Sequence, residues 1–325
     1  MGIDLQKTVE VAKMYYQLNY SQQEIADQMN ISRPTVSRML KQAEEHGIVK
    51  IEIIDPNEDV QKLADTLKKK FDLKHCVVVP VSKYEDETIK QTIGHAAAKY
   101  LNQIVQNGDV IGTSWGTTLH QVARQLEPKN VQNVTVVQLN GGVSYSETHT
   151  FAFDILNYLG RTFNTVPHHL PLPAVVDHIV VKQAMVSDRH VRKVLDLGKQ
   201  ANIAIYTVGE PSQDSTLIKA GYFSEEELEI LFERQVVGDI CSRYFDIKGN
   251  ICHPELNERT IGIDLQQLGN KSHAILIAGG MNRVNGMFGA LRGNYANVLI
   301  TDQHAARSLV EMSEHDDPEK GGSTV

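Results

Sequence analysis

The sequence predicts an α/β protein in two parts, an N-terminal winged helix-turn-helix followed by a doubly wound, mostly parallel-sheet domain. Three observations carry that prediction. Residues 21–47 read as two short capped helices joined by a tight turn. From His75 onward, six short β-rich runs alternate with amphipathic stretches. Between the two patterns, Asp55-Pro56-Asn57 breaks the chain.

In chain order, residues 5–18 place Val9, Ala12 and Tyr16 at helical spacing and form a first, supporting helix. Tyr15, Tyr16 and Tyr20 read as core and hinge aromatics, because duplex readout does not require base stacking. Ser21, with Glu24 three residues on, is a reciprocal capping box that satisfies orphaned backbone N–H groups. Ile25, Ala26 and Met29 give that helix its apolar face, Asn30 suits the left-handed conformation that ends it, and Ser32 caps the next. There Val36, Leu40 and Ala43 turn inward, which leaves Arg33, Pro34, Thr35, Ser37, Arg38 and Lys41 as the candidate DNA face. Forked guanidinium donors suit guanine edges and phosphates, and Thr and Ser hydroxyls reach bases or backbone. A solvated basic face on an ordinary helical hairpin is the alternative. Gly47 closing the helix, and the alternation of 48–53 as a wing strand, favour the DNA reading.

Residues 1–54 are therefore assigned to a winged helix-turn-helix DNA-binding domain and 55–71 to a linker or oligomerisation helix, with Val60, Leu63, Ala64 and Leu67 on one stripe. Its Lys68-Lys69-Lys70 end reads as solvated. Residues 72–312 form the effector domain, and the polar segment 313–325, with Gly321-Gly322, reads as a disordered tail. The β-rich runs are 76–79, 109–112, 134–139, 202–208, 274–278 and 297–301; the stretches 88–105, 117–126, 147–163, 178–197 and 284–292 are helical. Ligands in such a fold bind beyond the carboxyl ends of the strands.

Four of those ends carry small or polar residues: Gly112-Thr113-Ser114-Trp115-Gly116-Thr117-Thr118, Asn140-Gly141-Gly142, Thr207-Val208-Gly209, and Gly279-Gly280-Met281-Asn282-Arg283. Singly, their glycines need only permit tight turns. Together on one sheet edge they form a candidate cradle for phosphate or sugar oxygens, with Arg283 as a phosphate clamp. Gly112-Thr113-Ser114-Trp115-Gly116 also fits the G-x-S-x-G elbow of α/β-hydrolases, and Asp239 or Asp302 with His304 are the nominal triad partners; no H-G-G-G segment precedes it. In the polar cluster 238–246, Asp239 either binds sugar hydroxyls or caps a helix and pairs with Arg243.

Composition narrows the class. The 325 residues suffice for two domains, and 41% hydrophobic with 22% charged residues is a globular balance. No run approaches the roughly 20 apolar residues of a membrane span and no apolar leader opens the chain, so a cytoplasmic protein without membrane partners is expected. Cys76, Cys241 and Cys252 are widely spaced and read as free, mostly buried thiols. His168-His169 and His178 lack metal-ligand spacing, so neither metal nor cofactor is expected. A net charge of −8 is awkward for a DNA binder. Residues 1–53 hold six Lys or Arg against seven acids, although 31–43 contain no acid. One copy would bind DNA weakly, so a homo-oligomer, dimer or tetramer, presenting paired half-site readers is expected on double-stranded operator DNA.

The chain resembles the SorC family of bacterial transcriptional regulators, and is most similar to its deoxyribonucleoside-regulator (DeoR) branch. The residues carrying this are 20–26, Ile31-Ser32-Arg33-Pro34-Thr35-Val36-Ser37-Arg38, 112–116, Val136-Val137-Gln138-Leu139, Gly238-Asp239-Ile240, and Ala278-Gly279-Gly280 with Arg283. The resemblance implies an effector domain related to sugar-phosphate isomerases and deaminases, an often tetrameric assembly, and release or remodelling on DNA when a phosphorylated sugar binds. It implies that Thr113, Ser114, Trp115 and Gly116 meet the ligand, while Gly279, Gly280 and Arg283 hold its phosphate. In that branch the residue after Val-Val-Gln-Leu can be a Schiff-base lysine; here it is Asn140, so binding is expected to be non-covalent.

The expected effector site comprises Gly112, Thr113, Ser114, Trp115, Gly116, Asn140, Gly141, Asp239, Gly279, Gly280 and Arg283. The expected function is a DNA-binding transcriptional repressor, not an enzyme, controlled by a small phosphorylated sugar or nucleoside-derived effector. The alternative is a sugar-phosphate isomerase or deaminase with a DNA-binding appendage, which turnover would distinguish.

Overall fold

The computed structural model describes residues 5–18, 20–49, 60–143, 150–212, 215–219, 221–223 and 225–315. The chain divides into two compact units, Met1–Glu58 and Asp59–Val325.

The first unit holds α1 (Leu5–Tyr16), α2 (Gln22–Gln28) and α3 (Arg33–Glu45). Local chemistry sets these boundaries. The Ser21 N–H donates to Glu24 Oε2 at 2.8 Å, and the Glu24 N–H donates to Ser21 Oγ at 3.3 Å, so both halves of the capping box form. Asn30 has φ 52° and Gly47 φ 69°, the left-handed turns that end α2 and follow α3. Val11, Met14, Ile25, Ala26, Val36, Met39 and Leu40 make the small core. The stripe expected on α1 is corrected: Thr8, Val11, Ala12 and Met14 are buried, whereas Tyr16 is exposed and donates its hydroxyl to Glu44 Oε1. Tyr20 is exposed as well. Segment 9–16 is apolar on almost every side, so spacing alone does not choose its inward face. Of the wing expected at 48–53, residues 50–53 lie outside the described residues.

The second unit begins with α4 (Val60–Lys70), β1 (His75–Val79), α5 (Asp86–Ile104), β2 (Val110–Thr113), α6 (Thr117–Arg124) and β3 (Thr135–Gln138). Next come α7 (Ala152–Thr162), α8 (Ile179–Ser187), α9 (Arg189–Gln200), β4 (Ile203–Tyr206), α10 (Thr216–Lys219) and α11 (Glu225–Glu233). It ends with β5 (Gly238–Ile240), β6 (Arg243–Phe245), α12 (Pro254–Arg259), α13 (Leu265–Gly269), β7 (His273–Ile277), α14 (Val284–Arg292), β8 (Val298–Asp302) and α15 (Gln303–His315). Each of the six expected β runs yields one strand of a single sheet ordered β1-β8-β7-β4-β2-β3, parallel throughout.

Alternate residues of each strand feed two cores. Ile111, Ile203, Ile205, Ile275, Ile277 and Ile300 face α5, α6 and α7, while Ala204, Tyr206, Ala274, Leu276 and Leu299 face α4, α14 and α15. The helix expected as a linker, α4, packs through Ala64 and Leu67 into this second core. Two expectations are corrected. The stretch 178–197 is two helices, broken where Asp188 accepts from the His190 and Val191 N–H groups and caps α9. The cluster 238–246 is the antiparallel hairpin β5–β6, not a helix start. Residues 313–315 of the expected tail are the last turn of α15, and 316–325 lie outside the described residues.

Candidate functional site

A cavity of about 770 Å³ lies beyond the carboxyl ends of the strands. After β2 the chain moves outward to β3, then returns to β4 on the opposite side of β2. That reversal opens a crevice, the usual ligand position in such sheets. Ser114–Thr118 after β2, Asn140 after β3, Thr207–Glu210 after β4 and Gly280–Arg283 after β7 line it, joined by the β5–β6 hairpin and the start of α5. Gly116 has φ 121° and precedes α6, bringing the N-terminal turn of that helix to the wall.

Two polar sets meet there. In the first, Ser114 Oγ donates to Asn140 Oδ1 at 2.9 Å and Asn140 Nδ2 donates to Ser242 Oγ at 3.3 Å. The Ser242 N–H donates to Asp239 Oδ2 at 3.1 Å. Burial pushes Asp239 up to about 7, against the pull of that N–H. In the second set, Arg283 donates to Asp86 Oδ1 at 3.0 Å and to the Gly279 carbonyl at 2.9 Å, and Lys90 Nζ lies 2.5 Å from Asp86 Oδ2. Burial raises the Asp86 pKa, but Lys90 and Arg283 together outweigh it and the net direction is down. Two cations thus share one carboxylate, an arrangement that a dianion can take over.

Of the expected effector residues, Ser114, Trp115, Gly116, Asn140, Asp239, Gly280 and Arg283 line the cavity. Gly112, Thr113, Gly141 and Gly279 do not. Gly112 lies against Leu139, and Thr113 is buried with its hydroxyl donating to the Ser114 carbonyl. Gly141 presses against the Pro173 carbonyl and holds Trp115 by accepting its Nε1–H at 2.8 Å; Gly279 abuts Asp302 and Ile89. Sequence reasoning missed Tyr84, Asp86, Lys90 and Glu210, and from the polar cluster 238–246 it nominated Asp239 but not Cys241 or Ser242. One signal was readable: Lys90 sits inside the inward stripe of α5, next to Ile89 and one turn from Ile93.

Asp239 neither caps a helix nor pairs with Arg243. The hairpin sets Asp239 opposite Tyr244 and Ile240 opposite Arg243, so the two charged side chains point to opposite faces. Arg243 instead binds Asp264 Oδ1 at 2.8 Å, with Gly262 O, Ile263 O and Asn257. The hydrolase triad does not assemble. Among the described residues no histidine lines the cavity, Ser114 gives its proton to an amide oxygen, and the His304 ring lies edge-on to Tyr84.

Cys76, Cys241 and Cys252 are free; burial pushes the first two up to about 12 and Cys252 up to about 11, so all stay protonated near neutrality. Among the described residues, no cluster of three His, Cys, Asp or Glu side chains is arranged to hold a metal, and no helix is long and apolar enough to cross a membrane. His169 stacks on Phe153.

On α3, Arg33, Pro34, Ser37, Arg38 and Lys41 are exposed, above the buried Val36, Met39, Leu40 and Ala43. Thr35 is half-buried, and its hydroxyl shares a 2.8 Å hydrogen bond with Ser32 Oγ in the cap. Lys41 lies 3.8 Å from Glu45 with both side chains in solvent, a weak pairing that leaves the cation usable.

Comparison with known proteins matches both units. Residues 55–311 match the family described as "Putative sugar-binding domain", and residues 4–58 match the Crp-like helix-turn-helix domain. The chain is 48% identical over 307 residues to the deoxyribonucleoside regulator of Bacillus subtilis (strain 168), covering 94% of this chain and 97% of that protein. It is 30% identical over 311 residues to the sorbitol operon regulator of Klebsiella pneumoniae, covering 95% and 98%. The crystal structure of the full-length sorbitol operon regulator SorC from Klebsiella pneumoniae superimposes with a TM-score of 0.72 at 27% identity, covering 95% of this chain and all of that one.

Proposed function

The chain belongs to the SorC family of sugar-binding transcriptional regulators, and from that premise we propose that it is a repressor whose operator binding is controlled by a small phosphorylated sugar or nucleoside-derived effector. The carrying observation is what the cavity collects. Lys90 and Arg283 surround a single displaceable carboxylate, and Ser114, Asn140, Ser242 and Asp239 offer donors and acceptors to hydroxyls. A phosphate competes with Asp86 for both cations, and a sugar ring engages the second set. Asn140 cannot form an imine, and Lys90, which does line the cavity, is engaged in its ion pair with Asp86, so the effector is read as held non-covalently.

The exposed face of α3 reads operator DNA. Because the first 53 residues carry no excess of positive charge, the protein acts in the cytoplasm as a homo-oligomer, dimer or tetramer, that presents two readers at once. Switching requires the effector to favour one DNA-binding state over another. The Bacillus subtilis relative is named a deoxyribonucleoside regulator, which makes deoxyribonucleosides and their phosphorylated derivatives the first ligands to try.

Operator titrations against a panel of sugar phosphates and nucleosides test this. One phosphorylated ligand is expected to change operator affinity by roughly tenfold or more, and its unphosphorylated counterpart much less. No response across the panel would sink the sensing half. Mass spectrometry of the recovered ligand tests the non-enzymatic reading, which expects the sugar unchanged.

A further inference from the structure

Helix α8 departs from the pattern of the rest of the sheet domain. Its sequence, Ile179-Val180-Val181-Lys182-Gln183-Ala184-Met185-Val186-Ser187, is apolar on nearly every side, and a helix of that kind is ordinarily covered all round. Yet none of its residues is buried, and Ile179, Val180 and Val181 are 38%, 68% and 39% exposed. Its inner side reaches only a satellite cluster through Met185, and Lys182 Nζ ties it to the Glu258 carbonyl at 2.7 Å. The following helix is unusual in charge. Arg189, Arg192 and Lys193 stand exposed in the first two turns of α9, where the positive end of the helix dipole disfavours cations.

We propose that the α8–α9 hairpin is the surface on which a second copy of this chain docks, with the apolar side of α8 at the centre and the α9 cations at the rim. The proposal rests on the reading of the protein as a regulator that must present two DNA readers. Charge argues for a copy as the occupant: the chain carries −8 overall, and α11 exposes Glu226, Glu229 and Glu233 to meet the α9 cations. The chain's own last ten residues, Asp316 to Val325, are polar and supply no apolar run to cover α8.

The surface is also joined to the effector wall. α8 and α9 supply Lys182, Val186, Arg192 and Leu195 to a cavity of about 340 Å³ whose far side is Gly262 to Asp264. Gly262 bridges to Asn140, so one packing layer separates the docking face from the ligand cavity.

Val180→Glu is the test, because Val180 is the most exposed of the three and its loss costs the fold little. By light scattering after size exclusion, the wild type is expected to be a dimer or larger, and V180E is expected to fall to a lower order. Operator affinity is expected to drop about tenfold or more with it. Lys193→Glu is expected to weaken assembly in a salt-dependent way. Without any variant, hydrogen-exchange protection of 179–187 in the wild type is expected to fall on dilution as the mass falls; this readout decides the matter if V180E does not fold. A monomeric wild type, unchanged mass in both variants, or protection of 179–187 that ignores dilution overturns the proposal, the last by marking another cover for α8. Failure of the regulator reading is separate: a wild type that binds no operator while V180E still lowers the mass leaves the docking surface standing.

Discussion

The two units hold the side chains proposed to be functional under opposite conditions. On α3, Arg33, Ser37 and Arg38 stand in solvent, placed only by the buried residues beneath them. In the cavity the polar groups already bind one another: Ser114 with Asn140, Asn140 with Ser242, and Arg283 and Lys90 with Asp86. On the proposed assignment, DNA adds contacts to groups that give up only water, whereas an effector has to replace partners that the fold has supplied. Removing a side chain from α3 deletes a contact. Removing one from the cavity also alters the ligand-free state.

The largest expected effect tests that replacement directly. Arg283→Ala is expected to weaken a phosphorylated effector by about 2–3 kcal/mol, the scale of a charge-assisted hydrogen bond, while leaving ligand-free operator binding near normal. Equal loss for phosphorylated and unphosphorylated ligands, measured by calorimetry, would break the clamp assignment. Asp86→Asn sharpens it. If Asp86 competes with phosphate for Arg283 and Lys90, the variant binds phosphorylated ligands more tightly than wild type; weaker binding would show that Asp86 orients the two cations instead.

Asp239 carries the next effect, about 2 kcal/mol in effector affinity for Asp239→Asn if the carboxylate accepts a sugar hydroxyl. Its pKa is raised to about 7 from 3.8 by burial. Between those values the unfolded chain has lost the proton that the folded chain keeps, so this group lowers stability as pH rises through that window and adds no further change above it. D239N is expected to remove that slope in denaturant titrations. A hydroxyl bound to the carboxylate favours its charged form, so effector binding near pH 7 is expected to release a proton, seen as a buffer-dependent binding enthalpy that D239N lacks. The same enthalpy in every buffer would contradict the role.

On the exposed side, Arg33→Ala or Arg38→Ala is expected to cost about 1–3 kcal/mol on the operator if the side chain reads a base through both guanidinium arms. A phosphate-only contact would weaken all sequences alike and flatten the salt dependence. Unchanged binding by both variants refutes the assigned face.

The same division explains what the sequence made legible. The caps at Ser21 and Ser32, the turn at Asn30 and the six parallel strands follow from interactions within a few residues or from runs of β-branched side chains, and all were readable. The cavity was readable only as far as it is built from strand ends. Asp86 and Lys90 arrive on α5, which follows β1 at the opposite edge of the sheet, and only the tertiary fold brings them beside Arg283. The β5–β6 hairpin was hidden because its turn, Cys241-Ser242 with φ 52° and 66°, uses neither Gly nor Asn at its left-handed positions. The α1 register was ambiguous because its segment is apolar on both candidate faces.

The smallest expected effect asks whether the head depends on its own local chemistry as much as its exposed face implies. Ser21→Ala removes the acceptor of the Glu24 N–H and is expected to destabilise the first unit by about 1 kcal/mol. The backbone hydrogen bond from Ser21 holds the Glu24 pKa below its ordinary value. A depressed carboxylate contributes stability above its unfolded pKa and loses it as pH falls through the folded one, so mild acid is expected to loosen α2 in wild type and less so in Glu24→Gln. The change belongs to the first unit alone, and amide exchange should show protection falling at 22–28 while the sheet core around Ile205 and Ile275 is unaffected. If S21A instead weakened protection in β4 or β7, the two units would share stability, and the contrast between an independently built reading head and a long-range effector site would fail.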